Sequence, residues 1–204
     1  MRPVYLKMSA FGPFAGVAEV DFTLLGTEGI YLLAGETGAG KTTIFDAITF
    51  ALFGQCSGEA RKPGDLRSDY AGPETQTYVD LAFELRGKRY RIKRDPGGYP
   101  RAKKRGEGTT VCSPESTMEM PDGSVVSGKR VSEKVTELLG IDANQFRQIV
   151  MLAQGDFEKL LTEGTNERTL IFRKIFGTDM YQRFQDELVR QRTELAERCS
   201  QGAH

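Results

Sequence analysis

Histidine is almost missing from this sequence; the only one is His204, the final residue. A serine or cysteine nucleophile needs a general base within hydrogen-bond reach, so Ser-His and Cys-His chemistry inside this chain has no base to use. Cysteine is scarce as well. Cys56, Cys112 and Cys199 are odd in number, far apart and form no C-x-x-C pair. That argues against a disulfide framework and a cysteine-rich metal site, and it fits a reducing compartment. Long apolar runs are also lacking: Met1 to Lys7 has no signal-peptide core, and no stretch approaches the roughly 20 apolar residues that span a bilayer. The expectation is a soluble, cytoplasmic chain with no membrane partner. Neither sign of charge is in excess, with 28 Lys plus Arg against 28 Asp plus Glu in 204 residues. A nucleic-acid partner must therefore be argued from where the charges sit.

What is present centres on Gly35-Glu36-Thr37-Gly38-Ala39-Gly40-Lys41-Thr42-Thr43. This reads G-x-x-x-x-G-K-T, a phosphate-cradling loop. Its setting agrees with its letters. The apolar run Ile30-Tyr31-Leu32-Leu33-Ala34 before it predicts a strand, and Ile44 to Phe53 after it has helical spacing. Glycines let the backbone approach a phosphate closely, so that N–H groups and the positive end of the helix face the anion. Lys41 would reach the β- and γ-phosphates of ATP, and the Thr42 hydroxyl would coordinate Mg2+.

Around this loop, Val4 to Ala10 and Val17 to Phe22 alternate like strands, so a hairpin precedes the loop. In small nucleotide kinases the loop typically follows the first strand. Gly54 to Glu74, rich in Gly, Pro, Ser and charge, reads as a long surface connection. Thr77 to Leu85, a turn at Arg86-Gly87-Lys88 and a strand through Tyr90 and Ile92 make an antiparallel hairpin. A weaker strand near Ser116 to Met120 ends at the turn Pro121-Asp122-Gly123. Helical spacing follows in Val131, Val135, Leu138 and Leu139; Gly140 stops that helix and Asp142 suits the N-cap of the next. Further helices are predicted at Phe157 to Leu161, Glu167 to Phe176 and Met180 to the end. In the last, Phe184, Leu188 and Leu195 fit alternating three- and four-residue spacing, with Tyr181 in phase, Gln191 and Arg198 as polar interruptions and charged residues on the other faces, the pattern of a coiled-coil start. As a helix, Thr178 to His204 would run roughly 40 Å, more than a head of this size needs, so the chain reads as truncated.

Ten basic residues (Arg86, Lys88, Arg89, Arg91, Lys93, Arg94, Arg101, Lys103, Lys104 and Arg105) crowd one hairpin and the loop after it, with Asp95 the only acid among them. Such a cluster can neutralise backbone phosphates, and with only Tyr90 and Tyr99 nearby it suits duplex DNA better than stacked single strands. Arg101, Lys103, Lys104 and Arg105 are the favoured DNA contacts because a loop can reach outward.

Several segments coincide: the leading hairpin, the loop continuing as Thr43-Ile44-Phe45-Asp46-Ala47-Ile48, Leu66-Arg67-Ser68-Asp69-Tyr70-Ala71, and Val150-Met151-Leu152-Ala153-Gln154-Gly155-Asp156-Phe157. Together they resemble the N-terminal half of the head in the bacterial SMC-like double-strand-break repair ATPases. The resemblance implies an α/β fold: a P-loop NTPase half-head of the ABC/SMC type, a mixed sheet with antiparallel hairpins, and a C-terminal helix starting a coiled coil. Residues 1–177 would form the N-terminal lobe and 178–204 the coil. It also implies that Gln154 is the Q-loop residue that helps complete the Mg2+ shell and senses the γ-phosphate. The implied partners are a C-terminal lobe of the same ATPase, a second head, a nuclease subunit and double-stranded DNA. Departures from the pattern matter equally. No apolar run ends in Asp-Glu as a Walker B strand would, since Tyr78-Val79-Asp80-Leu81 continues wrongly, and neither a Ser-Gly-Gly signature nor a switch histidine is found. A catalytic carboxylate would have to come from outside this sequence, leaving the chain inactive by itself. Two other functions stay open: a self-contained P-loop phosphotransferase, and an SMC-type DNA-binding structural module whose nucleotide only fixes its shape.

Overall fold

The computed structural model describes residues 1–26, 31–55, 63–102, 108–150 and 179–201. They divide into two units, Met1–Ala143 and Asn144–His204. The first is built on a six-stranded sheet ordered β2-β1-β3-β4-β7-β8, in which every pair is antiparallel. Its strands are β1 (Arg2–Phe11), β2 (Phe14–Asp21), β3 (Tyr78–Leu85), β4 (Lys88–Asp95), β7 (Glu115–Glu119) and β8 (Val125–Ser127). Two short strands, β5 (Pro100–Ala102) and β6 (Thr109–Val111), form a separate hairpin.

The alternation read from the sequence sets the faces. Val4, Leu6 and Met8 of β1, Val79, Leu81 and Phe83 of β3, Ile92 of β4 and Met118 of β7 are buried on one side. Helix α1 (Lys41–Phe53) and helix α2 (Arg130–Leu139) lie over them, α2 through Val131 and Val135. From Ala47 to Phe53 every residue of α1 is buried; a helix apolar nearly all round belongs in a core. Phe11 and Phe50 meet with ring centres 6.1 Å apart, a pair that ties β1 to α1. Each such aromatic contributes roughly 1.5–3 kcal/mol through burial. The opposite face is polar and internally paired: Lys7 bonds Glu19 at 2.6 Å, and Arg91 makes a two-pronged contact with Asp80 at 2.9 and 2.8 Å.

Both predicted hairpins form, the second through a turn in which Arg86 and Gly87 have φ of 51° and 74°. The turn at Asp122 also forms, with Oδ1 accepting from the N–H and hydroxyl of Ser124, and Gly140 ends α2. Two expectations fail. Residues 31–36 take no regular structure, although Tyr31 to Ala34 have strand-like sequence. A strand exists through its neighbours, and among the described residues none pairs with this segment; Leu32 is 91% exposed. The connection before β3 is not merely surface. Leu66 and Ser68 are buried, and residues 66–68 bond to the end of β1, with Phe11 and Arg67 bridged.

That bond set surrounds a bulge: the register of β1 shifts between Ser9 and Phe11, and Ala10 adopts φ 48° while fully buried. A left-handed alanine stores roughly 1–2 kcal/mol. Replacing Ala10 with valine, branched at Cβ, is therefore expected to destabilise the domain by at least about 2 kcal/mol in urea unfolding, whereas Ala10→Gly should stay within about 1 kcal/mol of the parent because relief of strain offsets lost burial.

Helix α3 (Ala143–Val150) starts directly after Asp142, at the boundary of the two units, and in the second unit α4 (Asp179–Gln201) is a single 23-residue helix. Phe184, Leu188 and Leu195 are each at least half exposed on α4, while Arg190 bonds Glu187 and Glu194 one turn away on either side. The helices expected at Phe157 to Leu161 and Glu167 to Phe176 lie outside the described residues. Among the described residues, no helix is long and apolar enough to cross a membrane.

Candidate nucleotide-binding site

The loop Gly35 to Gly40 ends in α1, and the two ends of that helix have opposite environments. At its C-terminus the carbonyls of Ala51 and Leu52 accept from Arg94 at 2.6 and 3.0 Å. Arg94 reaches them from the inner face of β4 and also donates to Ser116 and Ser132 at 3.0 Å each. It is only 5% exposed, and burial pushes its pKa down to about 10, still well above neutrality. A cation at this end complements the helix dipole and answers carbonyls that have no intrahelical donor. The N-terminal end opens at the glycine loop, where the first N–H groups lack intrahelical acceptors and favour an anion.

Gly40 is the N-cap of α1, with φ 87°. A side chain would be strained there and would also collide: a Cβ on Gly40 would lie 2.8 Å from Phe14 Cζ and 2.9 Å from Pro13 Cγ. The turn between β1 and β2 thus walls one side of the loop. Gly12, at φ 56°, approaches so closely that its Cβ would lie 2.8 Å from Thr43 Cγ2. Only glycine satisfies both demands.

The functional groups are arranged unevenly. Lys41 Nζ donates to the carbonyls of Gly35 and Glu36, each at 2.7 Å, so its ammonium is folded back across the loop. The Ala39 N–H donates to Glu36 O at 3.2 Å, closing the turn that carries Thr37, Gly38 and Ala39. Thr42 is exposed at the helix start, free to offer its hydroxyl to a cation, whereas the Thr43 side chain is buried against the β1–β2 turn. A flexible ammonium, an exposed hydroxyl and a helix N-terminus within one loop fit a polyphosphate with its divalent cation. No group of three His, Cys, Asp or Glu that could hold a metal by itself occurs among the described residues.

The other predicted site residues are placed differently. Gln154, Lys103, Lys104 and Arg105 lie outside the described residues. Arg101 is half-exposed on β5, part of the small hairpin. Within the basic hairpin, Arg94 points inward and Arg91 is committed to Asp80, so these two are not free phosphate ligands. Asp80 is buried on the central strand β3 and pairs across to the exposed Arg91 of β4. The sequence reading assigned no structural role to Arg67, counted Arg94 among the phosphate-facing basic residues, and gave the Gly12 turn no part in the site. Strand parity could have found Arg94, because it shares the face of Tyr90 and Ile92.

Residues 5–201 match the AAA domain family, and the chain belongs to that family. Membership implies nucleotide binding, and it gives the loop at Gly35–Thr43 its chemical context. More particularly, the chain is similar to the SbcC component of Nuclease SbcCD from Vibrio cholerae serotype O1, with 45% identity over 193 residues, 92% of this chain and 19% of that protein. The proteins of the same name from Lactococcus lactis and Staphylococcus aureus strain JH9 are 37% and 35% identical over 96% and 98% of this chain, and 19% and 20% of their own lengths. These matches bear out the resemblance read from the sequence. The chain spans about a fifth of the length of these relatives.

Proposed function

We propose that this chain is the ATP-binding lobe of an SbcC-type ATPase, working in a nuclease complex that processes DNA double-strand ends. The observation that carries the reading is the loop at the open end of a buried helix, with Lys41 and Thr42 at its mouth. In this reading Gly35, Glu36, Thr37, Gly38, Ala39, Gly40 and Thr43 shape the phosphate cradle, Lys41 neutralises the β- and γ-phosphates, and Thr42 with Gln154 holds Mg2+. The bound nucleotide supplies a phosphoanhydride bond; the residues here hold and orient it without providing a base. Asp80, paired to Arg91 in an antiparallel strand, supports the view that the activating carboxylate comes from a C-terminal lobe.

The partners follow from the same reading: that C-terminal lobe, a second head, an SbcD-type nuclease subunit and double-stranded DNA, in the cytoplasm. That no described strand pairs with residues 31–34 supports a sheet completed by another segment, and the exposed apolar positions of α4 support a coiled coil beginning near residue 178. Arg101, Lys103, Lys104 and Arg105 would supply DNA contact. The test is reconstitution. The 204 residues alone are expected to turn over ATP at background rate, and addition of the C-terminal lobe is expected to restore Mg2+-dependent hydrolysis. Substantial turnover by the isolated chain would instead favour a self-contained phosphotransferase.

A further inference from the structure

The nucleotide reading gives no role to the segment that joins Leu66 to β3, yet this segment is built tightly around one side chain. Arg67 is half-buried. Its Nη1 donates to Thr75 O at 2.8 Å and to Thr77 Oγ1 at 2.6 Å, and its Nη2 donates to Gly72 O at 2.8 Å. The guanidinium carbon sits 4.5 Å from the centre of the Tyr99 ring. A planar fork that meets three acceptors and stacks on an aromatic face is held in one orientation, which lysine cannot reproduce. Tyr99 is fixed in turn: its hydroxyl donates to Asp95 Oδ2 at 2.8 Å and accepts from Thr77 N–H at 3.0 Å. Burial, together with the bond to Asp95, raises the pKa of that phenol, so it keeps its proton. Arg67 thereby clamps residues 66–77 to the base of the β5–β6 hairpin.

The same segment also touches the turn that walls the phosphate loop. Gly12 N–H donates to Leu66 O and Ser68 N–H to Ala10 O, both at 2.9 Å, on either side of the Phe11–Arg67 bridge. These bonds hold Ala10 and Gly12 in their left-handed conformations. The next residues, Pro13 and Phe14, are the ones packed on Gly40, and Gly12 packs on Thr43. None of the Arg67 contacts above is with the phosphate loop, so any influence on it passes through this turn.

We propose that Arg67 is a positioning residue for the phosphate loop: by locking residues 66–77 it fixes the Ala10–Phe14 turn against Gly40 and Thr43, and so sets nucleotide affinity from outside the site. Its functional readout rests on the nucleotide reading; its structural readout does not. The test compares Arg67→Met, Arg67→Lys and Thr77→Val in the full-length polypeptide. Amide hydrogen exchange without nucleotide is followed at residues 10–14 and 38–43, and Kd is measured for a fluorescent non-hydrolysable ATP analogue with Mg2+. Arg67→Met should speed exchange in both stretches and weaken binding about tenfold, within the usual span of coupling between sites. Arg67→Lys and Thr77→Val, which keep the charge or the volume but lose part of the fork, should give smaller shifts in the same direction. Faster exchange confined to residues 66–77, with 38–43 unchanged, would make Arg67 a local clamp and overturn the proposal. If the parent protein fails to bind the analogue, the nucleotide reading falls, while exchange at 38–43 still decides the role of Arg67. If circular dichroism shows Arg67→Met unfolded, Thr77→Val carries the decision.

Discussion

Arg94→Met is expected to cost about 3 kcal/mol of stability and to lower Tm by roughly 6–12 °C in a domain of this size. Arg94 carries a charge into the core without a carboxylate among these partners: two helix-end carbonyls and two serine hydroxyls accept its hydrogen bonds. Removing the guanidinium relieves its desolvation but strands the carbonyls of Ala51 and Leu52, each worth roughly 1–3 kcal/mol when buried and unsatisfied. The orphaned acceptors outweigh the relief because methionine brings no donor. Arg94→Lys should recover only part of the loss, since three donors on a point charge cannot span acceptors on α1, β7 and α2. Urea unfolding followed by circular dichroism measures both. A methionine variant as stable as the parent would mean that water reaches those carbonyls and that α1 needs no arginine at its end.

The same residue marks the boundary of what the sequence discloses. Read as composition, Arg86 to Arg105 is a basic patch; read with strand parity, it separates into Arg89, Arg91 and Lys93 on one face and Arg94 on the other. Alternation is a local property, so the hairpins β1–β2 and β3–β4 were legible, as was the helix after the phosphate loop. The loop itself was legible because its chemistry depends on glycines and a lysine at fixed spacing. What could not be read depends on distant partners. Residues 31–34 have the side chains of a core strand, but a ladder needs a neighbour and no described strand provides one. Leu66 and Ser68 sit in a stretch whose composition reads as solvent-exposed, and it is the bulge at Ala10 that gives Leu66 O and Ser68 N–H their backbone partners on β1. The segment around Arg67 contributes to the family resemblance, but the role of Arg67 has no local sequence signal: two of its three acceptors are backbone carbonyls, and its stacking partner Tyr99 lies far along the chain.

Lys41→Ala is expected to weaken binding of Mg2+–ATP by at least about 100-fold while leaving Tm nearly unchanged, because each bond from an ammonium to a phosphate oxygen is worth roughly 1.5–3 kcal/mol and two are lost. The fold should not register the change. Lys41 Nζ is bonded to the carbonyls of Gly35 and Glu36, both on exposed residues of the loop, and water can take its place there at little cost. Lys41→Arg should not rescue binding: the guanidinium is wider than an ammonium, and Pro13 and Phe14 already crowd Gly40 at the neighbouring position. Titration with a fluorescent ATP analogue, beside a thermal melt of each variant, separates the two effects. Loss of affinity with an intact melt assigns Lys41 to the ligand, as its place at the open end of α1 requires. Affinity equal to that of the parent would remove the phosphate loop from the function altogether.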